Sequence, residues 1–224
     1  ITSSNIACGF HGGDAVHMEN TIRAAIDYGV QIGAHPGYPD LAGFGRRKMD
    51  LPSNELKAII KYQLAALMGM AKSLGTAVKY VKPHGALYNE AADNERIAVI
   101  LIESVRDINR SIPIMGLAGS QFQEICNQQE VTFVAEAFAD RSYESSGKLR
   151  SRALEGAVLT SPEKAVAQVL DIIFKKQITS HDGITISQPA QSICIHGDNP
   201  AAVAILKAID QALQEQGVEK KSFV

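Results

Sequence analysis

What most constrains this chain is a unit that recurs along it in kind, though not in sequence: a short apolar strand, a polar loop and an amphipathic helix. Strand candidates lie at residues 5–10, 30–35, 78–83, 112–117, 132–138 and 192–196. They are almost wholly apolar, as expected of parallel strands covered on both faces. The helices between them carry start and stop signals. Asp14 can cap a helix with the stripe Met18, Ile22, Ala25 and Ile26, and Gly29 can end it. Ser53 and Asp93 can open two more. Ser161-Pro162 and Asn199-Pro200 each set a cap residue before a proline at the first helical position, the second ahead of Val203, Leu206, Ile209 and Leu213.

Six β/α units admit an open doubly wound sheet or a closed barrel. No GxGxxG follows the first strand, and there is no GxxxxGK[ST], so neither usual phosphate loop is present. The strand ends favour the barrel, because nearly every one carries a polar group: His11, His35, Lys82 with His84, Glu136 with Asp140 and Arg141, and His196 with Asp198. A barrel gathers such ends around one mouth, whereas an open sheet spreads them along an edge. A length of 224 residues suits a single domain spanning 1–224. A net charge of −2 argues against nucleic acid or an acidic membrane surface as partner. Three scattered cysteines without a CxxC point to a reducing compartment. The chain opens on Ile1 with residues that read as a strand already entering the core, so a leading segment is expected before it.

Several segments can carry chemistry. In Cys8-Gly9-Phe10-His11-Gly12-Gly13-Asp14, Gly12 and Gly13 allow close backbone approach and the helix start attracts an anion. His11 there reads as a metal ligand or general base, or else as a turn residue bonded to backbone. The long loop from His35 through Asp40 to Arg46 and Arg47 suits a site cover, with paired arginines for carboxylate or phosphate. Lys82 and His84 point the same way if their strand persists through Pro83, one to neutralise developing charge and the other to move protons. A histidine that merely caps the next helix is the competing reading of His84. Asp140 beside Arg141 is either a salt-bridged turn or part of the site, and Arg150 and Arg152 are further candidate anion contacts. His196 ends the last strand.

The segments ITSSNIACGFHGGD, IGAHPGYPDLAGFGRR, VKPHGALYN, GLAGS, EAFADRSY and CIHGD, taken in order, resemble the LamB/YcsF family, the A subunits of bacterial ATP-dependent 5-oxoprolinase. The resemblance implies a seven-stranded, TIM-like (β/α) barrel related to the polysaccharide deacetylases. Its first strand, an acidic one of the type D-L-N-x-D-x-G-E, has no counterpart here. It also implies hydrolysis of 5-oxo-L-proline to L-glutamate with ATP as co-substrate, in a cytoplasmic complex with subunits B and C. In that frame His84, His11, Lys82 and Asp140 are the catalytic candidates. Arg46, Arg47, Arg141, Gly12, Gly13 and His196 are those for substrate and phosphate. By analogy with the deacetylase barrels, His11 and His35 with a carboxylate can hold a divalent metal. Two other readings are a stand-alone metal-dependent deacetylase or amidohydrolase, and a non-catalytic binding subunit.

Overall fold

A computed structural model describes all residues, Ile1–Val224. The chain divides into two compact units, one of Ile1–Gly116 with Ser120–Phe133 and Val224, the other of Leu117–Gly119 with Val134–Phe223.

The first unit alternates strand and helix: β1 (Ser3–Ala7), α1 (Ala15–Asp27), β2 (Gln31–His35), α2 (Ser53–Ser73), β3 (Val78–Val81), α3 (Gly85–Ala91), α4 (Glu95–Ile108), β4 (Ile114–Leu117) and α5 (Gln121–Gln128). The strands pair in parallel in the order β1-β2-β3-β4. Parallel neighbours need a crossover between them, and each amphipathic helix supplies one. Burial of Ile22, Leu64, Leu67 and Leu101, all essentially inaccessible, fastens those helices to the strands. Each such side chain contributes roughly 1.5–3 kcal/mol.

The second unit holds β5 (Phe133–Phe138), α6 (Pro162–Leu170) with a π-helical extension at Asp171–Lys175, β6 (Gln177–Thr179), β7 (Thr185–Ser187), β8 (Ser192–Cys194) and α7 (Ala202–Glu215). Here β5 and β8 pair in parallel, and β6 and β7 form an antiparallel hairpin. Its core joins Ala165 and Val169 of α6 to Ile205, Ile209 and Leu213 of α7.

All six strand candidates are present, and the fold class is α/β with parallel strands and intervening helices. The differences lie at the ends. Asp14 and Ser161 cap as expected, accepting from the backbone of His17 and Lys164. The helix expected to open at Asp93 is α4, capped by Asn94, and Ser53 is the first residue of α2 behind Pro52 rather than its cap. The last helix starts at Ala202, two residues beyond Pro200. Its buried face therefore takes Ile205, leaving Val203 exposed, as Ile26 is on α1. The β6–β7 hairpin was not expected, because its strands are too short to show a periodicity. No helix is long and apolar enough to cross a membrane.

Candidate functional site

The first unit gathers three of its histidines. His11 follows β1, His35 ends β2, and His84 stands just before α3. The strand pattern carries on past β3: Lys82 N–H donates to the Ala34 carbonyl (2.9 Å) and His84 N–H to that of Pro36 (2.8 Å). That extended run holds Lys82 and His84 two residues apart in register with the end of β2. His84 occupies the cap position of α3 without any side-chain cap bond, so the capping reading of this residue is set aside.

The rings of His11 and His84 stack in parallel with centroids 3.8 Å apart, and His35 meets both edge-on. His35 Nδ1 lies 2.6 Å from the Lys82 carbonyl, His84 Nδ1 lies 3.0 Å from His35 Nε2, and His84 Nε2 lies 2.8 Å from the Phe44 carbonyl. The two outer contacts end on carbonyls, which only accept, so each needs a ring N–H, and the middle one needs a third. Two neutral imidazoles carry two hydrogens. The pair thus has a place for one extra proton, and its surroundings oppose filling it. Burial first, then the charges of His84, Lys82 and His11, hold His35 well below the usual imidazole range. His11, 1% exposed, is pushed down to about 3 by burial and then by His84. Its Nδ1 is a buried polar atom without a hydrogen-bond partner.

Backbone packed against His11 explains that isolation. A Cβ on Gly37 would stand 2.6 Å from His11 Nδ1, and one on Gly45 would stand 2.7 Å from His11 Cβ. Gly45 also has φ +65°, a conformation costly for other residues. Gln63 of α2 fixes Gly37 from behind, its Oε1 accepting the Gly37 N–H (3.0 Å) and its Nε2 donating to the Gly37 carbonyl (2.9 Å). Tyr38 is anchored by its hydroxyl on Glu90, which also pairs with Lys48. Phe44 lies edge-on to His11 and His84.

The two arginines of this loop part company. Arg47 grips buried Asp40 with Nε (2.9 and 3.1 Å) and Nη2, so it secures the loop. Exposed Arg46 lays its guanidinium 5.1 Å from the Phe44 ring centre. Lys82 is buried, its ammonium 5.7 Å from the Tyr88 ring centre. Gly13 takes φ +72° ahead of α1, and Gly12 lies under the Phe44 ring. His17 pairs with Asp14 in solvent.

A divalent metal needs several lone pairs converging on one point. Both nitrogens of His35 and both of His84 are committed within the network, and a buried ammonium stands nearby. No group of three His, Cys, Asp or Glu side chains anywhere in the chain is arranged to hold a metal ion. The residues present do not fit the metal suggested for His11 and His35.

The second unit has a different centre. Asp140, fully buried, follows β5, and His196 follows β8. His196 Nδ1 lies 2.8 Å from Asp140 Oδ1, while Oδ2 accepts the His196 N–H (3.1 Å) and Asn199 Nδ2 (3.0 Å). Burial works to raise the Asp140 pKa, but bonds from His196 and Asn199 and the charge of His196 outweigh it and hold the carboxyl below its ordinary value. Arg141 is turned to another use. Its Nε donates to the Ala157 carbonyl (3.1 Å) and Nη2 to that of Arg150, pinning the loop beyond β5. Arg150 pairs with Glu144.

Phe44, Gln63 and Asn199 were not anticipated. Gln63 left a trace, being polar inside the apolar stripe Ile59, Ile60, Leu64 and Leu67. Asn199 was visible only as a cap before Pro200; it forms that turn, accepting from Ala201 N–H, and serves Asp140 as well.

The chain is similar to known proteins along its full length. The model of the LamB/YcsF family matches residues 1–224. The Acinetobacter baylyi protein named as the A subunit of 5-oxoprolinase is 45% identical over 223 residues, covering 100% of this chain and 88% of that protein. The protein of the same name from Alkaliphilus metalliredigens is 45% identical over 98% of this chain and 86% of its own length. A crystal structure of the lactam utilization protein from Thermus thermophilus superposes with a TM-score of 0.92 at 37% identity, over 100% of this chain and 89% of that one. Matched in sequence from end to end and in fold, the chain belongs to the LamB/YcsF family.

Proposed function

We propose that this chain opens the lactam ring of 5-oxo-L-proline to give L-glutamate, as the hydrolytic subunit of an ATP-dependent complex with partner subunits B and C in the cytoplasm. The names of its full-length relatives support the substrate. The observation that carries the reading is the polar centre of the first unit, where a buried ammonium and a histidine pair with room for one more proton stand beside exposed Arg46. Such a centre favours an anion, whose charge lowers the cost of the extra proton. The substrate carries a carboxylate, and its phosphorylated form carries more charge.

An unstrained lactam is a poor electrophile at neutral pH. Transfer of a phosphoryl group from ATP to the lactam oxygen, on the partners, leaves a C5=N bond and releases ADP and a proton. Water then adds across that bond, the C5–N bond breaks to free the amine, and a second water cleaves the acyl phosphate to glutamate and phosphate. Lys82, His35 and His84 stabilise the negative charge on the phosphorylated oxygen. Arg46 is proposed as a further contact to the anion, and Gly12 and Gly13 let it approach the backbone. We take the strands as part of a TIM-like barrel related to the polysaccharide deacetylases.

The test is glutamate release from 5-oxoproline by the full-length subunit, with and without B, C and ATP. Turnover only in the complete mixture is expected. ATP-independent turnover that a chelator abolishes would identify a stand-alone metal-dependent amidohydrolase. Unchanged turnover by the complex carrying Lys82→Met would overturn the role given to this centre.

A further inference from the structure

The anion centre of the first unit is shut: His11, Lys82 and His84 are 1%, 3% and 9% exposed. Part of the cover is the turn between Asp40 and Arg47. Its Phe44 ring stands edge-on to His11 and His84, with centroids 5.7 and 5.2 Å away, and its Gly45 backbone lies against both. We infer that residues 41–46 are a lid, with Phe44 as its plug, which swings aside to admit an anion and closes over it; this rests on the reading above.

The turn is braced from within. The Asp40 carbonyl accepts Gly45 N–H (2.8 Å), the Gly43 carbonyl accepts Arg46 N–H (3.0 Å), and Asp40 Oδ1 accepts Gly43 N–H (2.9 Å) while Arg47 closes the base. A turn bonded to itself can move as one piece. Its flanks are fixed separately, because Glu90 of α3 holds Tyr38 on one side and Lys48 on the other, each at 2.7 Å. Leu41 at the tip is 67% exposed. Two bonds latch the turn to the start of α3, from Ala86 N–H to the Gly45 carbonyl (2.9 Å) and from His84 Nε2 to the Phe44 carbonyl (2.8 Å).

Closure depends on side chains that are missing from three separate segments. A Cβ on Gly12 would stand 3.0 Å from the Phe44 ring, one on Gly45 would stand 2.8 Å from His84 Cδ2, and one on Gly85 would collide with the Gly45 carbonyl. Phe44 itself has φ +53°, an uncommon conformation for a bulky residue. Glu130 and Lys176, the other non-glycine residues with positive φ, follow helix ends, where it is ordinary. At Phe44 no helix ends, and the conformation aims a ring at the histidines while the carbonyl meets His84. Arg46 rides on the same turn, its guanidinium 5.1 Å from the Phe44 ring centre. An anion on the centre attracts that cation and favours the closed turn.

Amide exchange in the full-length protein tests this. Ala86 N–H is held by the lid carbonyl of Gly45, whereas Lys82 and His84 N–H bond to Ala34 and Pro36 outside the lid, and Tyr88 N–H opens the α3 ladder on the His84 carbonyl. Ala86 should exchange about 10²-fold faster than those three. Inorganic phosphate should slow it about tenfold against chloride of equal ionic strength. Gly12→Val, which fills the seat of the Phe44 ring, should speed Ala86 about tenfold further and leave Lys82 and His84 unchanged. Phe44→Ala should do the same and gives a second reading if Gly12→Val fails to fold. Ala86 as slow as Lys82 and His84, Tyr88 as fast as Ala86, no slowing by phosphate, or wild-type exchange in both variants would each overturn the inference. If the complete complex released no glutamate from 5-oxoproline while exchange behaved as expected, the substrate would be wrong and the lid would stand.

Discussion

Each of the two units builds a centre from histidine, and the two differ in what accompanies the ring. In the first unit three imidazoles lie against one another with Lys82, and their contacts end on the carbonyls of Lys82 and Phe44. In the second unit one imidazole faces a buried carboxylate. One side chain type therefore serves opposite ends. Surrounded by burial and positive charge it resists a proton, whereas opposite a carboxylate it gives its Nδ1 hydrogen to a fixed acceptor. The lesson is that a histidine's role is set by its acceptors more than by its place at a strand end.

Four changes test that contrast, from largest to smallest. Asp140→Ala should cost about 3–5 kcal/mol, since it strips the partner from His196 and Asn199 in a buried place. Denaturant unfolding checks it, and a loss under about 1 kcal/mol would show that no buried charge pair is at work. Gln63→Leu leaves the Gly37 N–H and C=O without their side-chain partner behind His11, and should cost about 2–3 kcal/mol. Its signature beyond stability would be altered ring signals from His11.

The third test is acid. The unfolded chain takes up a proton on His11 near pH 6.5, while the folded chain refuses it until about pH 3. Stability is therefore complete above 6.5 and falls as pH drops through that window, by up to about 1.4 kcal/mol per pH unit. His35, held low by burial and neighbouring charge, adds to the same limb. Asp140 behaves differently, since its depressed carboxyl loses its contribution only below the ordinary carboxylate range near 3.8. Unfolding followed from pH 7 to 4 should thus lose slope in His11→Gln and keep it in Asp140→Asn; equal slopes in all three proteins would erase the contrast. The smallest effect is expected from Arg46→Ala, which should leave stability within about 0.5 kcal/mol and raise KM about tenfold, whereas Arg47→Ala should loosen the loop it ties to Asp40.

Much of this was legible before any coordinates. Apolar runs overlapped β1 to β5 and β8, although β1 opens on Ser3 and Ser4 and only Ile6 in it is buried; the short β6–β7 hairpin lay outside every run. Local chemistry placed the Asp14 and Ser161 caps, since a cap is a bond between residues three apart. Sequence also picked out His11, His35, His84, Asp140 and His196 by their positions after strands, and the whole-chain motif pattern pointed to the family. Tertiary structure alone decided which of these meet and through which atoms. His84 Nδ1 on His35 Nε2 joins residues 49 positions apart, and His196 Nδ1 on Asp140 joins residues 56 apart. It likewise showed that Arg47 and Arg141 tie loops, through Asp40 and the Ala157 carbonyl, and it left His11 Nδ1 without a hydrogen-bond partner. The periodicity of a chain reports which faces leave water, a property of neighbours in sequence. A proton's place depends on acceptors brought in from distant strands, and only the folded backbone fixes those.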